Sequence, residues 1–385
     1  MSSAILSPFA KPIKGLRIKE GAPPVQRPTK EEIANFPMEA ENLLKKSLTL
    51  QTSLINKGNY NIDKLKGRHF LLAGATGPGL GGALASAVME LVKDSGSITI
   101  LSRDLTKSIG YETGVIMQAI ADKNQMGNRF HWLNTGIALE GTSYDKIIAT
   151  LKEAKANNKI YINTVASASS GLLPNYPPVY VKDVDDEGLF QWQLTPLNDR
   201  EIESTKLFMG TMATQFPSAL EKEGIKVDIS AFADWRGSLD RISRNPDSIE
   251  YGRQGAYSTS LYLPKDILQE YSANHYGTGK KVIDIFLPVM RTRALAFIPG
   301  GVTMSALYEK LMNLEGVSYV EIPELALGVL KSIHNCIHEG DDNPFPRLDS
   351  HEMPFELWFY EVVKKLNNDE NSDFYYKNWI NIINK

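Results

Sequence analysis

The sequence predicts an α/β fold: a Rossmann-type doubly wound parallel sheet, preceded by an N-terminal arm and followed by helical additions. Three observations carry this. Short apolar runs recur between Arg68 and Leu287, with helix-forming stretches between most of them. The first run passes through a glycine-rich turn directly into a helix-forming stretch. The length, 385 residues, exceeds a small module and fits one large α/β domain with extra segments.

Residues 1–30 are rich in Pro, Lys and Gly, with Pro23, Pro24 and Pro28, and read as an arm lying on something else. Thr29 is a candidate N-cap ahead of Glu31 and Glu32, and apolar residues from Ile33 to Leu50 partly follow helical spacing. The stretch 30–57 therefore reads as one or two helices, ended by Gly58 to Asn61. His69-Phe70-Leu71-Leu72-Ala73 is a short apolar run of the kind shown by a strand buried on both faces. After the turn Gly74 to Gly82, Ala83 to Leu91 has strong helix propensity. Further strands are expected at 97–101, 130–133, 159–163, 227–232 and 282–287, with a helix at 144–151 among the connections. Beyond Pro299 the spacing of Leu307, Leu311 and Leu314, and of Phe355, Trp358, Phe359 and Val362, reads as helix. The expected organisation is an arm and helices over 1–62, a Rossmann-type domain over 63–300, and a helical extension packed on that domain over 301–385.

Composition excludes several classes. A 42% hydrophobic content is far above that of a disordered chain. With 42 basic against 45 acidic residues, no field is expected that would draw nucleic acid or an anionic membrane. The single cysteine, Cys336, rules out a fold stapled by internal disulfides. No apolar run is long enough for a membrane span, and the start lacks the apolar core of a secretory signal, so the expected location is the cytoplasm. The six histidines show no spacing that suits a metal, and none is expected.

The turn Gly74-Ala75-Thr76-Gly77-Pro78-Gly79-Leu80-Gly81-Gly82 has the composition of a phosphate cradle. A strand must turn at once into a helix while the backbone approaches a pyrophosphate, and the helix N-terminus supplies N–H donors. Its place after a strand and before a helix gives the glycines their meaning. Gly74, Thr76, Gly77, Gly79 and Leu80 are thus candidate cofactor contacts. The next strand ends in Ser102-Arg103-Asp104, where the adenosine ribose would lie. Ser102 and Arg103 favour the 2′-phosphate of NADPH, because a guanidinium offers it a bidentate fork; Asp104, if turned inward, would favour NADH. At the end of the fourth strand, Asn163, Val165 and Ala166 belong to a small, polar segment that would let a nicotinamide ribose approach the backbone.

Hydride transfer to a carbonyl or a conjugated enone builds negative charge on oxygen. The site then needs a proton donor near that oxygen and a cation to lower the donor's pKa. Tyrosine with a nearby lysine meets both needs, and the segment from Tyr251 to Leu268 contains such residues.

The glycine-rich turn, the order of elements and a tyrosine-bearing segment after the fifth strand resemble the short-chain dehydrogenase/reductase superfamily. Within it, the chain is more closely similar to the single-chain trans-2-enoyl-CoA or enoyl-carrier-protein reductases. Gly74 to Leu80 resembles that family's glycine turn, with Pro78 in place of its Tyr. Pro196 to Thr205, running on to Met209-Gly210, resembles its Glu-Ile-x-x-Thr helix and Met-Gly. Ala294 to Pro299, followed by Leu307 to Met312, resembles its substrate-covering helical segment. The resemblance implies an NADPH-dependent reduction of the C2–C3 double bond of an acyl-CoA or acyl-carrier-protein substrate, with hydride going to C3. It also implies a Tyr/Lys pair. Lys265 matches the family lysine, but Ala256 stands where the family tyrosine would. Tyr257, one residue too close to Lys265, is the preferred proton donor, and Tyr251 is second, reached through an insertion. A core-packed Tyr257 with an exposed Lys265 is the bland alternative. A carbonyl ketoreductase, or an NADP-binding protein without turnover, are the other functions left open. The arm has no counterpart in the family; it would either wrap a neighbouring copy in a homo-oligomer or cap the site.

Overall fold

Apolar runs recurring along the chain pair side by side in the computed structural model, which describes residues 12, 14–21, 42, 45–58, 60–75, 79–102, 109–154, 159–165, 179–194, 196–235, 263–288, 290 and 320–348. The strands in chain order are β1 (Arg17–Glu20), β2 (His69–Ala73), β3 (Ser97–Leu101), β4 (Phe130–Leu133), β5 (Lys159–Asn163), β6 (Val179–Asp185), β7 (Gly188–Leu194), β8 (Val227–Trp235) and β9 (Lys281–Leu287). The helices are α1 (45–56), α2 (Leu80–Val92), α3 (Ile109–Lys123), α4 (Gly141–Glu153), α5 (Asp199–Lys206), α6 (Met212–Lys222), α7 (263–275) and α8 (Ile322–His334).

Six strands form one all-parallel sheet in the order β4-β3-β2-β5-β8-β9. The chain builds outward from β2 to β4, then returns to build the other half from β5. The reversal leaves a crevice at the carboxyl ends of β2 and β5, where open α/β sheets bind ligands. This is the expected Rossmann-type doubly wound sheet.

Alternating residues of these strands feed two cores, as a strand's period of two requires. Phe70, Leu72, Ile98, Ile100, Phe130, Ile160, Ile162 and Ile229 pack with α2, α3 and α8. Leu71, Ala73, Leu101, Tyr161 and Phe232 pack on the other face with α4, α6 and Leu268 of α7. Helix α2 is buried at every residue except Glu90, which explains its run of Gly and Ala: the sheet lies on one side and α8 on another. Gln51 of α1 donates from Nε2 to the Ala83 carbonyl of α2 (2.9 Å) and the Pro323 carbonyl of α8 (3.3 Å), tying three helices together. None of the described helices is long and apolar enough to cross a membrane.

A second, smaller sheet has the order β1-β7-β6. Sequence reading found neither the β6–β7 hairpin nor a strand in the arm. Strand β1 runs parallel to β7 from Arg17↔Phe190 to Glu20↔Gln193. Arg17 and Lys19 reach Asp185 at 2.6 and 2.7 Å, and the Lys19 ammonium sits 4.2 Å from the Phe190 ring centre. Arg17 and Lys19 hold the Asp185 carboxyl well below the usual carboxylate range. The part of the arm at 17–20 is therefore a paired strand. Residues 1–11 and 22–41, and the helical spacing expected beyond Pro299 up to 319 and after 348, lie outside the described residues.

At the amino end of β2, His69 is fully buried between Ser97 and Lys159, and its Nδ1 lies 2.7 Å from Ser97 Oγ. Burial, reinforced by the Lys159 charge, lowers its pKa to about 3. The folded state thus refuses a proton that the unfolded chain accepts below its ordinary value near 6.5. Stability from this group is intact above that value and falls with pH down to about 3, at ~1.4 kcal/mol per unit. Between pH 7 and pH 5 a His69→Gln variant should lose about 2 kcal/mol less unfolding free energy than the parent, measured by urea titration at each pH. Equal losses in the two proteins would show that His69 does not carry this sensitivity.

Candidate functional site

The crevice is bounded by the ends of β2, β3 and β5. Directly after β2, Gly74 takes φ +81°, a left-handed conformation that side chains disfavour. A Cβ there would lie 2.7 Å from the Val165 nitrogen and 2.8 Å from the Thr164 carbonyl carbon. Gly74 is thus required by its own neighbour, the end of β5. Gly81, in the first turn of α2, is required by the turn itself, since a Cβ would fall onto the Gly74 carbonyl oxygen and within 2.8 Å of Ala75 Cα.

Gly79 differs from both. It is the N-cap of α2, with φ −82° and ψ −160°, values open to any residue. Among the described residues a Cβ on it would meet nothing within 4 Å. Neither the backbone conformation nor the described packing demands glycine here. The N-terminus of α2 has no side-chain cap and no acidic residue in its first turn. First-turn N–H groups have no partner within their own helix, and they carry the positive end of its dipole. Leu80 is buried behind them. The combination of a cleared approach and uncapped donors fits the pyrophosphate of a dinucleotide.

At the end of β5, Asn163 is buried, and its Oδ1 accepts from the Val165 N–H (3.3 Å). The Thr164 N–H and hydroxyl both donate to the Ala73 carbonyl, at 2.9 and 3.1 Å. These bonds lock the β5 end against the β2 end. On the other side of β2, Ser102 follows β3 and is 3% exposed. Its N–H donates to the Leu133 carbonyl at 3.2 Å, and its Oγ accepts from the indole Nε1 of Trp132, on β4, at 2.6 Å. Gly114 of α3 makes room for that indole: a Cβ there would come 2.8 Å from Trp132 Cδ2, and nearer still to Cε2 and Cζ2.

Lys265 lies near the first described residue of α7, which leads through 276–280 to the amino end of β9. Helix α7 therefore runs against the strands, and Lys265 is at their carboxyl-end side. It is 6% exposed. The bland expectation of an exposed lysine is overturned. The cause is local packing: α5 and α6 are joined by a π-helical turn, Leu207–Thr211, and Gly210 in that turn lets Pro264 come so near that a Cβ would meet its Cα and carbonyl oxygen at 3.0 Å. Such turns often mark functional sites. Pro264 sits in the first described turn of α7.

The structure thus brings Gly74, Gly79, Leu80, Asn163, Val165 and Ser102 to the carboxyl ends of three adjacent strands. The expectations on Thr76, Gly77, Arg103, Ala166, Tyr251 and Tyr257 lie outside the described residues. Lys280 and Lys281 stand at the opposite end of β9. Lys280 pairs with Glu221 at 2.7 Å, and Lys281 Nζ donates to the Cys336 and Ile337 carbonyls. Sequence reasoning missed the Trp132–Ser102 bond, because its partners are 30 residues apart and on different strands.

No protein-family profile matches the chain, and no curated protein matches it by sequence. Solved structures do match. The fold is similar to that of trans-2-enoyl-CoA reductase from Clostridium acetobutulicum in complex with NADH, at 14% identity, with 90% of each chain covered and a TM-score of 0.61. It is equally similar to trans-2-enoyl-CoA reductase from Treponema denticola in complex with NAD, at 16% identity, again with 90% of each chain covered and a TM-score of 0.62. At these identities the likeness shows the fold.

Proposed function

We propose that the chain is a nicotinamide-dependent reductase that acts on the C2–C3 double bond of a 2-enoyl thioester, carried on coenzyme A or a carrier protein, with NADPH as its cofactor. The observation that carries the dinucleotide is Gly79. Two neighbouring glycines are demanded by the protein's own backbone, whereas nothing among the described residues demands Gly79, which stands in front of an uncapped helix N-terminus at the switch point of the sheet. Gly74, Thr76, Gly77 and Leu80 complete this turn. Asn163, Val165 and Ala166 border the nicotinamide ribose, and Ser102 with Arg103 meets the adenosine 2′-phosphate.

The reduced nicotinamide, when bound, supplies the hydride. The chain's own residues manage the charge that results. Reduction at C3 pushes electron density onto the thioester oxygen, and a phenol, Tyr257 by preference or Tyr251, donates a hydrogen bond to that oxygen and then a proton. Lys265 favours loss of the phenolic proton by its positive charge. Its near-complete burial supports the reading, because an ammonium withdrawn from water acts more strongly on its neighbours than an exposed one. The enoyl substrate is supported by the fold-wide likeness to two trans-2-enoyl-CoA reductases over 90% of the chain.

The same cradle and the same tyrosine would serve a ketoreductase acting on a 3-oxoacyl thioester. The shortened spacing from Tyr257 to Lys265 favours a third reading, binding without turnover. NADPH oxidation with a crotonyl thioester and with an acetoacetyl thioester separates the three. The proposal expects turnover of the crotonyl compound. Turnover of the acetoacetyl compound alone would replace it by the ketoreductase, and NADPH binding with no turnover of either would replace it by the third reading.

A further inference from the structure

The adenosine end of the site contains a hydrogen bond that the proposed function does not use. A serine hydroxyl has one proton to donate and two lone pairs that accept. In Ser102 one lone pair is already engaged, because the Trp132 indole N–H points at Oγ from 2.6 Å. Indole N–H can only donate, so the direction of this bond is fixed whatever the hydroxyl does. Among the described residues the Ser102 hydroxyl donates to no acceptor, although the residue is 3% exposed. A buried donor without an acceptor is costly, and this one stands directly after the strand at whose end a ligand is expected.

The indole is held there by design of its surroundings. Trp132 lies partly buried against the core beside α3. Its ring lies against the backbone of α3 at Gly114, where a methyl group would collide with the six-membered ring. Glycine in the interior of a helix costs about 1 kcal/mol relative to alanine, so its presence in α3 has a packing reason, and the indole supplies it.

The two possible riboses ask different things of Ser102. A 2′-hydroxyl brings a proton that needs an acceptor. A 2′-phosphate brings only acceptors and negative charge at its charged oxygens. The incoming N–H occupies one lone pair and polarises the Ser102 O–H, so the hydroxyl becomes a stronger donor and a poorer acceptor, with a single lone pair left. We infer that Trp132 is a specificity-determining positioning residue, which through its bond to Ser102 Oγ strengthens that hydroxyl as a donor toward a 2′-phosphate and so favours NADPH over NADH. The inference rests on the dinucleotide reading of the site proposed above.

The test is equilibrium binding of NADPH and of NADH to the full chain, followed by calorimetry without acyl substrate. The parent should prefer NADPH. Trp132→Phe keeps a ring but loses the N–H, and should weaken NADPH roughly tenfold while leaving NADH within about twofold. Ser102→Ala should do the same, and the double variant should be no weaker than Ser102→Ala alone, since both changes remove one device. Gly114→Ala leaves Trp132 and Ser102 themselves unsubstituted, but its Cβ would push against the indole ring. The displaced indole should erode the preference for NADPH, which keeps the inference testable if Trp132→Phe does not fold. A role for Trp132 in packing alone would lower both affinities together and leave their ratio unchanged, and that result overturns the inference while leaving dinucleotide binding in place. So would a parent that prefers NADH. A folded parent that binds neither nucleotide overturns the dinucleotide reading itself, and the inference with it.

Discussion

A Gly79→Val variant should melt as the parent does and bind NADPH at least about a hundredfold more weakly, a loss near 3 kcal/mol. The reasoning is steric. The backbone at Gly79 is in a conformation that valine adopts freely, and a Cβ there meets nothing within 4 Å among the described residues. The branched side chain would instead fill the space in front of the α2 N-terminus, where the pyrophosphate must approach the N–H groups. Gly74→Val and Gly81→Val make the contrast. The first forces a side chain into φ +81° and against the β5 backbone, and the second drives one into the Gly74 carbonyl. Both should lower the melting temperature by several degrees, because steric strain of a few kcal/mol acts on the folded state itself. Thermal scans and NADPH titrations on the three variants separate a glycine that serves the fold from one that serves a ligand. A Gly79→Val protein that binds NADPH as the parent does would refute the cradle.

Replacing Lys265 by methionine should reduce turnover by a factor of about 100 to 1,000, the usual worth of a positioned acid–base group. Methionine matches the length of the buried stem and fits where Gly210 lets Pro264 approach the π-helical turn, so the fold should survive. Tyr257→Phe should produce a similar loss, and the double variant should be little worse than either single one, because the two groups work as a unit. If Tyr257→Phe retains full turnover while Tyr251→Phe loses it, the proton donor is Tyr251. If Lys265→Met turns over within about twofold of the parent, Lys265 serves packing rather than acid–base chemistry.

The main sheet was legible because its signal is local. His69 to Ala73 and Ser97 to Leu101 are buried on both faces, so every residue had to suit an interior, and the strand ends fall within a few residues of those expected. The glycine turn was legible for the same reason. What the sequence could not do was sort Gly79 from Gly74 and Gly81, since the distinction depends on how near the ends of β5 and β2 lie. Strand β1 was invisible locally. Arg-Ile-Lys-Glu offers one apolar side chain, Ile18, and that one is exposed. Its pairing with β7 and its ion pairs to Asp185 come from a hairpin about 170 residues away. The burial of Lys265 was hidden likewise, because a lysine reads as polar until a π-helical turn from another segment closes over its helix.

Helix α2 carries a consequence for biosynthesis. It presents uncapped N–H groups at one end, yet nearly all its other surface is apolar and covered, in part by α8. Ile322 lies 230 positions after Val92, so a ribosome adding ~5–20 residues per second needs roughly 10–50 s to deliver the cover after making the helix. During that interval the nascent chain exposes the apolar flank of its most glycine- and alanine-rich helix to the surrounding solution. A transcript cut short before Ile322 would leave that flank bare for good, and its product would be a substrate for holdase chaperones and quality-control proteases.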